Sequence, residues 1–234
     1  MPPAPKVQRR DLREDRVYVA LTRTLDFCLR NRTLIALGAL AVVAAFAAGY
    51  YLQVQKQRNA MEASWQLYEA MRSKEAPSAT MEALREVHSK YGDTPSGRIA
   101  LFELANILYD QGRYEEALTK YKEFLSRYPG HMLAVAAMEA IGYCHESLGQ
   151  WKEAIATYQS LTKRWPASPQ AYRSHYRLGL AYEKVGEPEK AIDAYKKVLD
   201  LQPASLWAEY AREQLEALGV SDLAPQGEQM PVSQ

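Results

Sequence analysis

Residues 112–129 read GRYEEALTKYKEFLSRYP, residues 149–166 read GQWKEAIATYQSLTKRWP and residues 186–203 read GEPEKAIDAYKKVLDLQP. Each stretch opens on a glycine and closes on a proline, and each is displaced from the last by 37 residues. Inside them Ala117, Ala154 and Ala191 keep step, as do Tyr121, Tyr158 and Tyr195. Upstream, Leu104, Ile141 and Leu178 share the period, followed by the small residues Ala105, Gly142 and Gly179. A fixed period of this length means a stacked repeat, each copy one supersecondary unit. Each position has a physical reason. The small residue lets a second helix come close, and the following glycine ends the first helix, because glycine takes the left-handed conformation there without strain. Alanine and tyrosine, four apart, lie on one face of the second helix. Proline stops that helix and turns the chain. Thr94-Pro95 and Ser168-Pro169 supply an N-cap followed by proline in the first turn of a new helix.

These residues resemble the tetratricopeptide repeat over 98–129, 135–166 and 172–203, with a longer period than the usual one for that family. The resemblance implies an all-α fold, a right-handed α-solenoid. Tyr114 and Trp151 give way to Pro188 in the third copy. One period earlier stands a degenerate copy. Met61, Trp65, Tyr68 and Met71 share one face of a predicted helix, and after Lys74–Ser78 a second helix carries Met81, Leu84, Val87 and Tyr91. At the far end Ser205 starts a capping helix with Leu206, Ala208, Ala211 and Leu215, ending at Gly219. Terminal repeats are expected to be atypical. The solenoid domain is thus read as residues 53–219, followed by a disordered tail over 220–234.

Thr33 to Leu52 reads TLIALGALAVVAAFAAGYYL, with no charge. A helix of that length covers a hydrocarbon core of about 30 Å, so 33–52 is read as a single transmembrane helix. Arg30 and Arg32 fence one end, and Tyr50 and Tyr51 sit at the other, where amphipathic rings favour the interface. A cleaved signal peptide is the rival, with Ala45-Phe46-Ala47 as its site, but the 32 preceding residues are long for a signal's charged region. Lys6, Arg9, Arg10, Arg13, Arg16 and Arg23 also precede the span, while Lys56 and Arg58 follow it. The positive-inside rule places 1–32 in the cytoplasm and the solenoid outside, in a bacterial cell the periplasm. In that basic segment Val17, Leu21, Thr24, Leu25 and Cys28 recur at helical spacing. It reads either as an amphipathic helix on the membrane surface or as a charged tail that sets topology. No Gly or Pro lies between Tyr50 and Ser73, which predicts a membrane helix continuing into the first repeat helix.

Charge is balanced, 29 Lys+Arg against 28 Asp+Glu, so nothing argues for nucleic acid. Cys28 and Cys144 flank the span and would never share a compartment, which rules out pairing within a chain. His88, His131, His145 and His175 show no metal-ligand spacing, and no phosphate loop or nucleophile motif occurs. The sequence therefore predicts no enzyme, no metal and no cofactor. A solenoid offers instead a concave surface lined by the first helix of each repeat. The groove residues are read as Phe102, Asn106 and Tyr109, then Glu139, Tyr143 and Glu146, then Arg173, Tyr176 and Arg177. Some tetratricopeptide adaptors grip a terminal carboxylate. Asn106, Arg173 and Arg177 match that pattern, while Phe102 and Ala140 replace its Lys and Asn. The alternative is a mixed aromatic and charged groove that binds protein by another rule.

The layout of basic segment, single span and repeat domain resembles the YfgM-like family of bacterial inner-membrane proteins, described as ancillary subunits of the Sec translocon. That resemblance implies a scaffold with translocon subunits, periplasmic chaperones or client segments as partners. The other reading is a structural envelope protein coordinating outer-membrane assembly or cell division.

Overall fold

The computed structural model describes residues 11–72 and 76–220, with side chains from Val17 onward. The basic residues before Asp11, residues 73–75 and the tail from Ser221 lie outside the described residues. All regular structure described is helical: α1 Asp11–Arg30, α2 Arg32–Arg72, α3 Pro77–Tyr91, α4 Pro95–Asp110, α5 Tyr114–Arg127, α6 Ala134–Ser147, α7 Trp151–Arg164, α8 Pro169–Lys184, α9 Pro188–Leu201 and α10 Leu206–Ala217. The chain divides into two units, residues 1–58 and 59–234.

The first unit holds α1 and the apolar part of α2. In α1, Val17, Leu21 and Leu25 are exposed. Helix α2 is unbroken from Arg32 to Arg72. Among the described residues it is the one helix long and apolar enough to cross a membrane, and none of its apolar window is buried in protein. Leu34, Leu37, Leu40 and Phe46 present their side chains outward.

The second unit stacks helices in alternation. We term α4, α6, α8 and α10 the A helices, with the end of α2 in the same register, and α3, α5, α7 and α9 the B helices. Each helix from α3 on packs against the next, and α6 meets α8 as α8 meets α10. Ala63, Ala100, Ala137, Ser174 and Ala211 stand one period apart and are all fully buried. A side chain no larger than serine is what lets neighbouring A helices approach.

Local sequence explains the ends of these helices. Gly112, Gly149, Gly186 and Gly219 all have positive φ, between 70° and 81°. At Gly112 the amide donates to the Tyr109 carbonyl and the Arg113 amide to Leu108, which closes α4 with a left-handed cap. The Thr94, Ser168 and Ser205 hydroxyls accept from Gly97, Ala171 and Ala208 amides at the starts of α4, α8 and α10. His131 holds the equivalent place before α6, and its Nδ1 accepts from the Leu133 amide at 3.2 Å. The B helices α5, α7 and α9 end two residues before their prolines, because the residue before proline leaves the α region: Tyr128, Trp165 and Gln202 have ψ of 54°, 60° and 65°. Helices α4 and α8 have 16 residues each, whereas α6 has 14 and a longer entry loop over 128–133.

The face of the first copy that carries the large apolar residues is not the one that packs. Met61, Trp65, Tyr68 and Met71 do not form its packed face, since they are 74%, 61%, 50% and 51% exposed. The buried face carries Ala63, Leu67 and Ala70 instead. The cause is Tyr68, which stands in the register of Ala105, Gly142 and Gly179. A ring at that point cannot enter a helix crossing that elsewhere admits only glycine or alanine. Met81, Leu84, Val87 and Tyr91 of α3 are buried as the sequence predicts.

Candidate protein-binding face

The A helices carry the face, and the B-helix tyrosines hold it from behind. A Cβ on Gly142 would overlap the Tyr158 ring, and one on Gly179 would overlap Tyr195. Glycine therefore lets each ring lie flat against its A helix and pass its hydroxyl through to the other side. Tyr158 Oη donates to Glu146 Oε1 at 2.8 Å, and Tyr195 Oη donates to Glu183. These two glutamates share one register position, which in the first clear repeat is Tyr109. There Tyr121 donates instead to Asn106 Oδ1 at 2.5 Å, one turn earlier. Burial pushes Tyr158 and Tyr195 well above the usual tyrosine range, and hydrogen bonding to the glutamates adds to it.

Neighbouring A helices are joined across this face. Arg173 of α8 grips Glu139 of α6 through two hydrogen bonds, Nε to Oε1 at 2.8 Å and Nη2 to Oε2 at 2.5 Å. Glu139 is buried, with its side chain only 6% exposed. Arg177 Nη1 donates to Glu146 Oε2 at 3.2 Å, and its guanidinium lies 4.9 Å from the centre of the Tyr143 ring. Burial raises the Glu146 carboxyl above its usual range, against the pull of Arg177 and Tyr158. Burial also pushes the Tyr143 phenol up to about 12, with Glu139 adding to it. Arg177 Nε is buried without a hydrogen-bond partner.

The remaining groove residues divide into two groups. Phe102 turns inward and packs edge-on against Tyr121 and Phe124, at 5.7 and 5.6 Å between ring centres. Asn106 is fixed by Tyr121 and donates to Glu103 Oε2 at 3.0 Å. Tyr109 packs on Tyr114 and shares a hydrogen bond with Ser147 of α6 at 3.3 Å. Tyr176 sits in an aromatic cluster with Tyr195, Trp207 and Tyr210. The nine residues thus lie along one run of A helices, but Phe102 belongs to the core. Arg173 and Arg177 are already held by carboxylates of this chain, so they are not free cations for a terminal carboxylate.

Sequence reading missed Trp207 and Tyr210 of the capping helix. The signal was present: Ser205, Ala208, Ala211 and Leu215 continue the register of Ser168, Ala171, Ser174 and Leu178, which makes α10 a further A helix with its own side chains on the face. It also missed Glu103 and Glu183, whose role depends on which neighbouring hydroxyl or amide reaches them.

Residues 96–167 match a tetratricopeptide repeat family model, and residues 172–205 match a second. Both segments are tetratricopeptide repeats. They take in the three copies read from the 37-residue period, and neither is a match to a catalytic family. The fold is that of solved repeat proteins. A tetratricopeptide repeat protein from Parabacteroides merdae is 22% identical, with a TM-score of 0.57 over 69% of this chain, which spans 60% of that protein's length. MamA from Desulfovibrio magneticus is 22% identical, with a TM-score of 0.55 over 69% of this chain and 86% of that one. No curated protein matches the chain. Tetratricopeptide repeats mediate protein–protein interactions.

Proposed function

We propose that the chain is a membrane-anchored scaffold of the bacterial cell envelope. In this reading α2 crosses the inner membrane once, the basic segment stays in the cytoplasm and the repeats stand in the periplasm. The A-helix face there holds segments of partner proteins, with translocon subunits, periplasmic chaperones or newly exported clients as the partner class. The observation that carries the interaction role is the joined face itself: Arg173–Glu139 and Arg177–Glu146 fix neighbouring repeats to each other, so that α6 and α8 present one preorganised surface. Preorganisation lowers the ordering cost of binding. The unburied apolar window of α2 and the asymmetry of basic residues around it support the anchor and its direction.

Two measurements test this. Protease added to intact cells, spheroplasts and lysed cells reads topology. Digestion of the repeat unit in spheroplasts but not in intact cells is expected, and protection in spheroplasts contradicts the periplasmic placement. Affinity isolation of the full chain from native membranes, followed by mass spectrometry, reads the partner. Enrichment of translocon subunits is expected, and enrichment of division or outer-membrane assembly proteins in their place contradicts the translocon reading.

A further inference from the structure

The A-helix face has a charge character that the sequence balance conceals. Its two central cations are consumed within the fold, Arg173 by Glu139 and Arg177 by Glu146. Its carboxylates are not all matched. Glu103 accepts from Asn106 on the face, and it and Asp110 act electrostatically on Tyr121; among the charges at Tyr176, Arg177, itself paired with Glu146, acts first, and Glu213 and Glu183 act against it. Glu103 accepts from the neutral Asn106 and Glu183 from the neutral Tyr195, bonds that leave their charge in place. Among the described residues, none of these four carboxylates is in an ion pair. Lys184, exposed in the last turn of α8, is a cation standing against them.

Between the two acidic ends lie tyrosine rings, Tyr109, Tyr143 and Tyr176, with Tyr210 on α10, itself 40% exposed. Aromatic faces attract guanidinium and ammonium groups, and the fold already shows this arrangement once, where Arg177 stacks on Tyr143 beside Glu146. A second cation arriving from outside would find the same pairing of ring and carboxylate at Tyr176 with Glu183 and Glu213. We propose that the A-helix face recognises an extended polypeptide segment carrying lysine or arginine interspersed with apolar side chains. This rests on the reading of that face as the binding surface and names the chemistry of its partner.

The test uses the full chain in lipid nanodiscs and three fluorescent peptides with a shared apolar framework, whose charged positions are Lys, Glu or Gln. Each carries a photoreactive leucine so that bound peptide can be mapped. The Lys peptide is expected to bind about ten-fold tighter than the other two and to weaken as salt is raised. The double variant Glu183→Gln with Glu213→Gln keeps one acceptor oxygen at each position, enough for the Tyr195 hydroxyl, and removes both charges. It is expected to weaken Lys-peptide binding about five-fold or more with the melting temperature unchanged. Equal or tighter binding of the Glu peptide, binding of none of the three, or an unchanged affinity in the double variant overturns the preference for basic segments. If the Gln peptide binds as well as the Lys peptide and its crosslinks fall on α6 and α8, the charge preference fails while the binding face stands. If crosslinks fall on the B helices, the face itself was wrongly assigned.

Discussion

The second clear repeat and the degenerate first copy fill the same two positions in opposite ways. In the second repeat Gly142 faces Tyr158; in the first copy Tyr68 faces the place of Leu84. The consequences differ. Tyr158 is fully buried, and its hydroxyl reaches through to Glu146 on the far side of α6. Leu84 is also fully buried, but it has no polar tip to deliver, and Tyr68 with Met71 stays exposed. The glycine–tyrosine pair therefore does two things at once. It sets the crossing distance of an A and a B helix, and it anchors a carboxylate on the face where a partner would sit. The first copy retains only the apolar half of that arrangement.

Substitutions can break this contrast, and thermal unfolding of the full chain in detergent is the readout. The largest effect is expected for Tyr158→Ala, which leaves a buried void and strips Glu146 of a donor, at a cost of about 3–5 kcal/mol. Tyr68→Ala, an equal truncation in the first copy, is expected to stay within about 0.5 kcal/mol of wild type; comparable losses at both sites would refute the contrast. Gly142→Ala comes next, at about 1–3 kcal/mol, because its Cβ would overlap the fully buried Tyr158 ring. A neutral result there would mean that α6 and α7 can separate freely. Tyr158→Phe keeps the ring and removes the hydroxyl, for a smaller loss of about 1 kcal/mol.

Alkaline pH gives a further test. Burial raises Tyr143 to about 12 and pushes Tyr158 and Tyr195 up as well. The unfolded chain releases these phenolic protons near its ordinary value of about 10, whereas the folded chain keeps them to higher pH. Over that interval the unfolded state binds fewer protons, so stability is full below about pH 10 and falls as pH rises through the folded values. The melting temperature should drop across that window, and Tyr158→Phe should flatten the drop. An unchanged slope in that variant would remove Tyr158 from the account.

The same contrast shows what the residues disclosed in advance. The clear repeats were legible because backbone-limited positions recur: glycine at the helix ends, glycine or alanine at the crossing, proline after the B helix. Each is dictated by local sterics, so spacing alone places it. In the first copy the packed face was not legible, because the large apolar residues share one face while the buried positions are the small Ala63 and Ala70. Which stripe packs depends on what the crossing admits, and Tyr68 is too large for it and stays half exposed. On the face, periodicity placed Tyr143, Glu146, Tyr176 and Arg177 on the same run of helices. It could not show that Arg173 and Arg177 are already paired, because those bonds join residues 34 and 31 apart and depend on the superhelical offset of one repeat against the next.

The A-helix face is proposed as the place where partners bind. A photoreactive residue placed at Tyr143 or Tyr176 in α6 or α8, and separately at the exposed Lys122 of α5, tests it in native membranes. Partner adducts are expected from the two A-helix positions and few from Lys122. Equal or greater yield from Lys122 would contradict it.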